Sequence, residues 1–316
     1  MRVFKEIGPL LAALVVLLVL FGLWVPVFLT PPNLIDLLQQ VTVNAILAFG
    51  MTFTILIGGI DLSVGAVLAL VGTTTVYVLT LGAPEASPLV WLGLACSAGL
   101  MVSAVFGLIN GLCAAQTKMP AFIITLATML IARGGAFCFN QARPIRVPAH
   151  QEAFLALGNG RLFGVIPVPV IVMLALFAAA SVLLHRTRFG QHLYAIGGNR
   201  EAARFTGIRL ARCEIAVYVI CSMLTGVAGM IHTSQLYSAE PASGIGFELN
   251  AIAAAVVGGT SFTGGVGTLY GTLIGAIIIG ILDKGLNQAG VHFSLQYIVK
   301  GFVVLAAVYI DVRRRT

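Results

Sequence analysis

Residues 41–70 read VTVNAILAFGMTFTILIGGIDLSVGAVLAL and contain one charged side chain, Asp61. Apolar runs of about 20 residues match the thickness of the hydrocarbon core of a bilayer. We therefore predict two membrane-spanning helices here, over Leu37–Ile57 and Leu62–Leu81. The tight turn Gly58-Gly59-Ile60-Asp61 separates them, because paired glycines interrupt regular helix.

The same pattern extends over the whole chain. Of its 316 residues, 59% are hydrophobic and 9% are charged, whereas a soluble domain carries about 25% charged residues. The sequence thus predicts an all-α integral membrane protein, a single transmembrane domain over residues 1–316 with about ten helices. The eight further spans are expected at Ile7–Leu29, Pro88–Ala115, Ala121–Phe139, Val165–Leu184, Ile215–Ile231, from near Phe247, from near Val266, and at Leu295–Ile310.

The positive charges predict the orientation of these spans. The loop about 185–212 carries six arginines, and the chain ends in Arg313-Arg314-Arg315-Thr316. Lysine and arginine accumulate in cytoplasmic loops, so this loop and both termini are expected in the cytoplasm. The segments about 140–164 and 232–246 then lie on the outer face.

The sequence lacks the motifs that are typical of several classes of function. No lysine stands in a G-K-[ST] motif, so the chain has no Walker A loop, and no G-x-S-x-G elbow or paired catalytic carboxylates occur. The five cysteines form no C-x-x-C pair and the five histidines no H-E-x-x-H motif, which argues against a metal or a cofactor. No basic domain is present to bind nucleic acid.

Uncharged polar side chains within the spans are the candidates for a translocation path. They suit a neutral hydroxylated solute, and the alternative is that they only hydrogen-bond helices to one another. The scarcity of carboxylates in the spans argues against a proton-driven carrier. Lys300 lies within the last span, where it has a function or extends to the interface. The path candidates are Gln40, Asn44, Asp61, Ser63, Asn110, Thr125, Asn250 and Thr260.

A faint internal repeat relates the two halves of the chain. Gly258-Gly259-Thr260-Ser261 resembles the turn that follows residue 57, and Asn44-Ala45-Ile46 and Asn250-Ala251-Ile252 precede the two turns. Transporter folds built from repeats contain such glycine-interrupted spans. Gly107-x-x-x-Gly111 additionally predicts a close approach of two helix backbones.

The cytoplasmic loop contains a short predicted helix, Glu201-Ala202-Ala203-Arg204. Asn199 is its expected N-cap and Gly207 its expected stop. Such a helix, bounded by glycines, suits the docking of a soluble partner. The alternative is a solvated basic loop that only fixes the topology.

Three ordered blocks resemble one known family. Tyr194–Ile208, Gly58–Gly65, and Glu240-Pro241 with Gly246–Gly265 are similar to the ribose/xylose/arabinose-type permeases of bacterial ATP-binding-cassette sugar importers. The resemblance implies a fold like that of the vitamin B12 importer, two permease subunits in a dimer, and a location in the inner membrane. It also implies a non-catalytic subunit, with ATP hydrolysis in a partner.

The resemblance further implies the partners. A coupling segment would seat in a cytoplasmic ATPase subunit, and a periplasmic sugar-binding protein would contact segments 140–164 and 232–246. The cargo would be a monosaccharide; a nucleoside, an amino acid, a furanosyl signal and a secondary carrier mechanism stay open as alternatives. The coupling residues are Gly197, Gly198, Asn199, Glu201, Ala202, Ala203, Arg204 and Gly207.

Overall fold

The computed structural model describes residues 2–82, 87–117 and 119–313. Lys118 and the arginines at 314 and 315, which the sequence places on the cytoplasmic side, lie outside this part. The helices are α1 (Arg2–Trp24), α2 (Pro31–Leu56), α3 (Val64–Thr80), α4 (Pro88–Gln116), α5 (Ala121–Cys138), α6 (Glu152–Asn159), α7 (Val168–Arg186), α8 (Arg188–Gly198), α9 (Arg200–Phe205), α10 (Leu210–Gln235), α11 (Phe247–Val257), α12 (Leu269–Gln288) and α13 (Phe293–Arg313).

Within the described ranges, four two-residue strands form two small antiparallel pairs. Strand β1 (Ile145–Arg146) pairs with β4 (Ser238–Ala239), and β2 (Arg161–Leu162) pairs with β3 (Ile166–Pro167). The predicted all-α membrane protein is therefore confirmed, since the strands only fasten segments between helices.

Among the described residues, six helices are long and apolar enough to cross a membrane: α2, α4, α5, α7, α10 and α12. Shorter apolar helices occur within α1 and α13 and form α3 and α11. Each predicted span overlaps one of these helices, although several boundaries differ and only six of the described helices have the length and hydropathy of a membrane span. The largest difference is at α2, which begins at Pro31 rather than Leu37, and α12 begins at Leu269 rather than near residue 266. Helix α11 begins at Phe247 as predicted and has only eleven residues.

Helix α2 lies at the centre of the bundle. Almost every residue from Val41 to Leu56 is buried, and α2 packs against α7, α10, α11 and α12. The predicted close approach at Gly107 and Gly111 occurs between α4 and α10. A Cβ on Gly107 would fall 2.8 Å from the carbonyl oxygen of Tyr218, so only glycine fits there.

The loop about 185–212 is more ordered than predicted, because it contains two helices. Helix α8 was not expected, and Gly197 and Gly198 are its last two residues rather than a flexible flank. The Thr187 side chain caps its first turn, accepting a hydrogen bond from the backbone N–H of residue 190. Leu193 and Ile196 are buried one turn apart, so an apolar stripe holds α8 on the bundle.

The two predicted outer segments form one surface. Strand β1 belongs to the first segment and β4 to the second, with Ile145 opposite Ala239. The second segment starts later than predicted, because α10 continues to Gln235. Helix α6 covers this end of α10: the Ser234 hydroxyl accepts a 2.8 Å hydrogen bond from Gly158 N–H and donates one of 2.7 Å to the Phe154 carbonyl.

Candidate coupling and translocation site

Helices α2 and α11 end in the same kind of turn. Gly58 has φ +77° and its N–H bonds to Ile55, while the next N–H bonds back to Thr54. Gly259 has φ +90°, and the same two hydrogen bonds recur there. Its N–H donates to the Val256 carbonyl, and Thr260 N–H donates to the carbonyl of residue 255. A left-handed residue closing the last turn is the usual use of glycine at a helix C-terminus. The hydrogen bonds therefore align Gly58 with Gly259. This differs by one position from the sequence match, which set Gly58 opposite Gly258.

The two turns pack together and helix α8 lies against both. Gly265 N–H donates a 2.9 Å hydrogen bond to the Leu56 carbonyl at the end of α2. Gly197 touches the same carbonyl, and a Cβ at this residue would fall 2.2 Å from the Gly265 nitrogen. Tyr194 fixes the contact from one turn earlier, donating a 2.7 Å bond to the Gly267 carbonyl. Helix α8 is thus joined to both interruptions of the bundle.

Helix α9 has the predicted N-cap and stop. The Asn199 side-chain oxygen accepts a 2.9 Å hydrogen bond from Ala202 N–H, and Gly207 has φ +84°. Ala203 is buried, whereas Glu201 and Arg204 are exposed. The helix therefore rests on the bundle through one face and presents its charged side chains outward.

An ion pair that the sequence did not predict links this helix to the next span. Arg200, the first residue of α9, pairs with Glu214 in the second turn of α10. The Glu214 side chain is 4% exposed and that of Arg200 is 51% exposed. The signal available in the sequence was a lone acidic residue at the end of an arginine-rich loop.

Four of the predicted path residues meet in one buried network. The Asp61 carboxylate accepts hydrogen bonds from Ser63 N–H (2.9 Å) and the Ser63 hydroxyl (2.6 Å). Asn110 donates to that hydroxyl (3.0 Å) and accepts from Thr128 (2.7 Å), while Thr125 donates to the carbonyl of residue 60 (3.2 Å). The network holds α3, α4 and α5 together, so its members mostly satisfy one another.

The other path candidates are separate from this network. Gln40 is exposed near the start of α2, and Asn44 is half-buried one turn later. Asn250 is half-buried on α11, and Thr260 is buried in the turn that follows. Asn44 Oδ1 and Thr260 Oγ1 have no hydrogen-bond partner within the described part of the chain. The second carboxylate oxygen of Asp61, Oδ2, has no such partner either, so Asn44, Thr260 and Asp61 are the candidates with free bonding capacity.

Two charged residues within spans have structural partners. Arg133 in α5 donates through Nη1 to the carbonyls of Pro241 and Ser243, at 2.7 Å each, and so fastens the segment before α11. Lys300 forms a 2.8 Å ion pair with Asp283 of α12. The sequence did not predict this acidic partner on the neighbouring helix, and the two interpretations of Lys300 both stay open.

No group of three or more potential metal-ligating side chains occurs in the ranges that the structure describes. The recurring feature is the pair of glycine turns after α2 and α11, which helix α8 contacts directly.

Comparison with known proteins agrees with this geometry. The family model for the branched-chain amino acid transport system / permease component matches residues 33–308. The ribose import permease protein of Bacillus subtilis (strain 168) is 44% identical over 98% of this chain and 93% of its own length.

Two further relatives extend the comparison. The ribose import permease protein of Escherichia coli (strain K12) is 43% identical, covering 96% of this chain and 93% of the relative. The L-arabinose transport system permease protein of the same strain is 36% identical, covering 98% and 91%. These matches extend over nearly the full chain, and the chain is therefore a member of the branched-chain amino acid transport system / permease component family.

Proposed function

We propose that this chain is the transmembrane permease subunit of an ATP-driven, binding-protein-dependent importer that carries a monosaccharide across a bacterial inner membrane. The ribose and L-arabinose permeases among its relatives support the pentose class of cargo. The chain itself is not an enzyme, and ATP hydrolysis takes place in a cytoplasmic partner.

The observation that carries the proposal is the seat of helix α8 against both interrupted turns. A transporter driven by a separate ATPase needs a cytoplasmic element whose movement reaches the membrane helices. Gly197 supplies that connection, because it contacts the end of α2 and the Gly265 turn before α12 together. Helix α9, with exposed Glu201 and Arg204, is the surface on which the ATPase docks.

The finer architecture follows from the same proposal. Ten helices, α1–α5, α7 and α10–α13, form a permease of the vitamin B12 importer type, and two permease subunits form the dimer. Both termini face the cytoplasm, in agreement with the arginines of α8 and α9. Helix α11 is about 16 Å long and would reach only about half of the hydrocarbon core, as in transporters with interrupted helices.

The periplasmic binding protein is proposed to dock on the surface that contains β1, β4 and α6. The β1–β4 pairing and the Ser234 hydrogen bonds make this surface one unit, although its parts lie about 90 residues apart in sequence. Docking on either segment therefore acts on the outer ends of α3 and α10, against which these strands pack.

Reconstitution tests the function directly. The permease, its ATPase and its binding protein are placed in proteoliposomes, and uptake of radiolabelled D-ribose and L-arabinose is measured with and without ATP. Uptake that requires all three proteins and ATP supports the proposal, and an ATPase inactivated in its Walker A lysine is the control. Uptake by the permease alone, driven by an ion gradient, would show a secondary carrier instead.

A further inference from the structure

A cavity of about 380 Å³ lies beside the ion pair of α9 and α10. Its wall consists of the Gly58-Gly59 turn, the end of α4 at Thr117, the beginning of α5 and the first turns of α10 with Glu214 and Tyr218. Arg200 lies at its edge. The cavity is thus at the coupling end of the bundle, which faces the cytoplasm in the proposed orientation.

Two buried polar atoms in this wall have no hydrogen-bond partner among the described residues. They are the Tyr218 hydroxyl, in a residue that is 1% exposed, and Glu214 Oε2, in a residue that is 3% exposed. An unsatisfied buried polar atom costs about 1–3 kcal/mol, so each atom gains from a ligand that hydrogen-bonds to it. Gly59 leaves the space open, because a Cβ there would fall 2.6 Å from the Tyr218 oxygen.

The charge and shape of the cavity select the class of ligand. Arg200 neutralises Glu214, so the wall carries no net charge, and the free carboxylate oxygen is an acceptor for a hydroxyl group. Ala114, Met119 and Ala121 supply an apolar side for C–H groups. The volume lies near the lower end of the range of about 300–1,000 Å³ for small-molecule pockets. A monosaccharide has this combination of hydroxyls, C–H faces, neutrality and size.

We propose that this cavity is a cytoplasmic-side subsite that holds one monosaccharide molecule before its release. Glu214 Oε2 accepts a hydrogen bond from a sugar hydroxyl, and the Tyr218 hydroxyl bonds to a second one. The inference rests on the proposed function and adds the place where the cargo is held. Because Glu214 also pairs with Arg200, occupancy of the subsite bears directly on the first residue of the coupling helix α9.

Protection of an introduced cysteine tests this placement. Thr117→Cys, at the exposed edge of the cavity, is made in the permease–ATPase complex, and inside-out vesicles are treated with N-ethylmaleimide. Peptide-resolved mass spectrometry separates labelling at 117 from labelling of the native cysteines. We expect D-ribose to slow alkylation at 117, whereas the heptasaccharide maltoheptaose, which is too large for a cavity of about 380 Å³, leaves it unchanged.

Tyr218→Phe then tests the contact, because it removes the hydroxyl and keeps the ring. Loss of one hydrogen bond should raise the D-ribose concentration needed for protection by about three- to tenfold. Tyr77→Phe, which alters an exposed tyrosine near the end of α3 outside the cavity wall, is the matched control and should leave protection unchanged.

The outcomes separate the subsite from the proposed function. If the same complex imports D-ribose in proteoliposomes but D-ribose does not protect residue 117, the subsite is wrong and the function stands. Equal protection in the Tyr218→Phe and parent proteins also overturns the subsite. If the complex imports no sugar, both proposals fail.

Discussion

A methyl group at residue 197 would come within 1.9 Å of the carbonyl oxygen of Leu56. This relationship joins the last turn of α8 to the last turn of α2, the central helix of the bundle. Real Cβ atoms do not approach backbone so closely, so the contact exists only because residue 197 is glycine.

Gly197→Ala should therefore separate the coupling segment from the bundle. Overpacking against backbone costs about 1–3 kcal/mol, and we expect a lower midpoint of thermal unfolding and loss of ATP-driven uptake. Gly198→Ala is the matched control, because nothing lies within 4 Å of a Cβ there. Normal uptake by Gly197→Ala would contradict the role of this contact.

Glu201→Ala combined with Arg204→Ala tests docking without disturbing the fold. Both side chains are exposed, so we expect unchanged membrane insertion and thermal stability but loss of ATPase co-purification and of uptake. Arg143→Ala, an exposed arginine in the proposed periplasmic surface, should retain the ATPase. Full ATPase recovery in the double variant would place the docking surface elsewhere.

The Arg200–Glu214 pair should be asymmetric in its response to substitution. Arg200→Met leaves a buried carboxylate without its counter-charge, with an expected cost of about 1–3 kcal/mol. Glu214→Gln removes the charge itself, so it should cost less, and the double variant should recover stability relative to Arg200→Met. Thermal unfolding in detergent measures all three. Additive losses would show that the two residues do not act as a pair.

Asn110 and Asn44 should differ, although both were predicted from the same pattern. Asn110→Ala breaks the bonds to Ser63 and Thr128 and should lower stability by about 2–3 kcal/mol. Asn44→Ala breaks no side-chain hydrogen bond of Oδ1, because this atom has no partner within the described part. Its stability should remain near that of the parent while sugar uptake changes, as measured in proteoliposomes. Unchanged uptake would assign Asn44 to packing.

Arg133→Lys should release the segment before α11. One guanidinium nitrogen bonds two carbonyls at 2.7 Å, and the shorter ammonium side chain does not reproduce this arrangement. We expect faster backbone hydrogen exchange over residues 240–246 by mass spectrometry. Arg143→Lys is the control and should leave exchange in this segment unchanged.

The sequence predicted the elements whose cause is local. The apolar runs gave the membrane helices, and the cap at Asn199 and the stop at Gly207 gave α9, because each depends on neighbouring residues. Helix α8 was missed because its apolar stripe becomes evident only when Leu193 and Ile196 meet the bundle.

Features of the site that depend on distant residues could not be predicted. Tyr218 is an ordinary aromatic residue in an apolar run until the Gly59 turn is brought against it, 159 positions away in the chain. The correct alignment of the two repeats also required the structure, because equivalent hydrogen bonds, and not sequence identity, align Gly58 with Gly259. Pairing of Lys300 with Asp283 likewise required the packing of two helices.

The shortness of α11 has a consequence for how the protein is made. Eleven residues that include Glu248 and Asn250 form too brief and too polar a segment to be retained in a bilayer by hydrophobicity alone, whereas the twenty residues of α12 meet that requirement. We therefore expect helix α11 to enter the membrane only after synthesis of α12, as the first arm of a hairpin. Helix α11 packs against α2, which is inserted earlier. The end of α2 is then expected to guide where α11 packs as the second half of the molecule is completed.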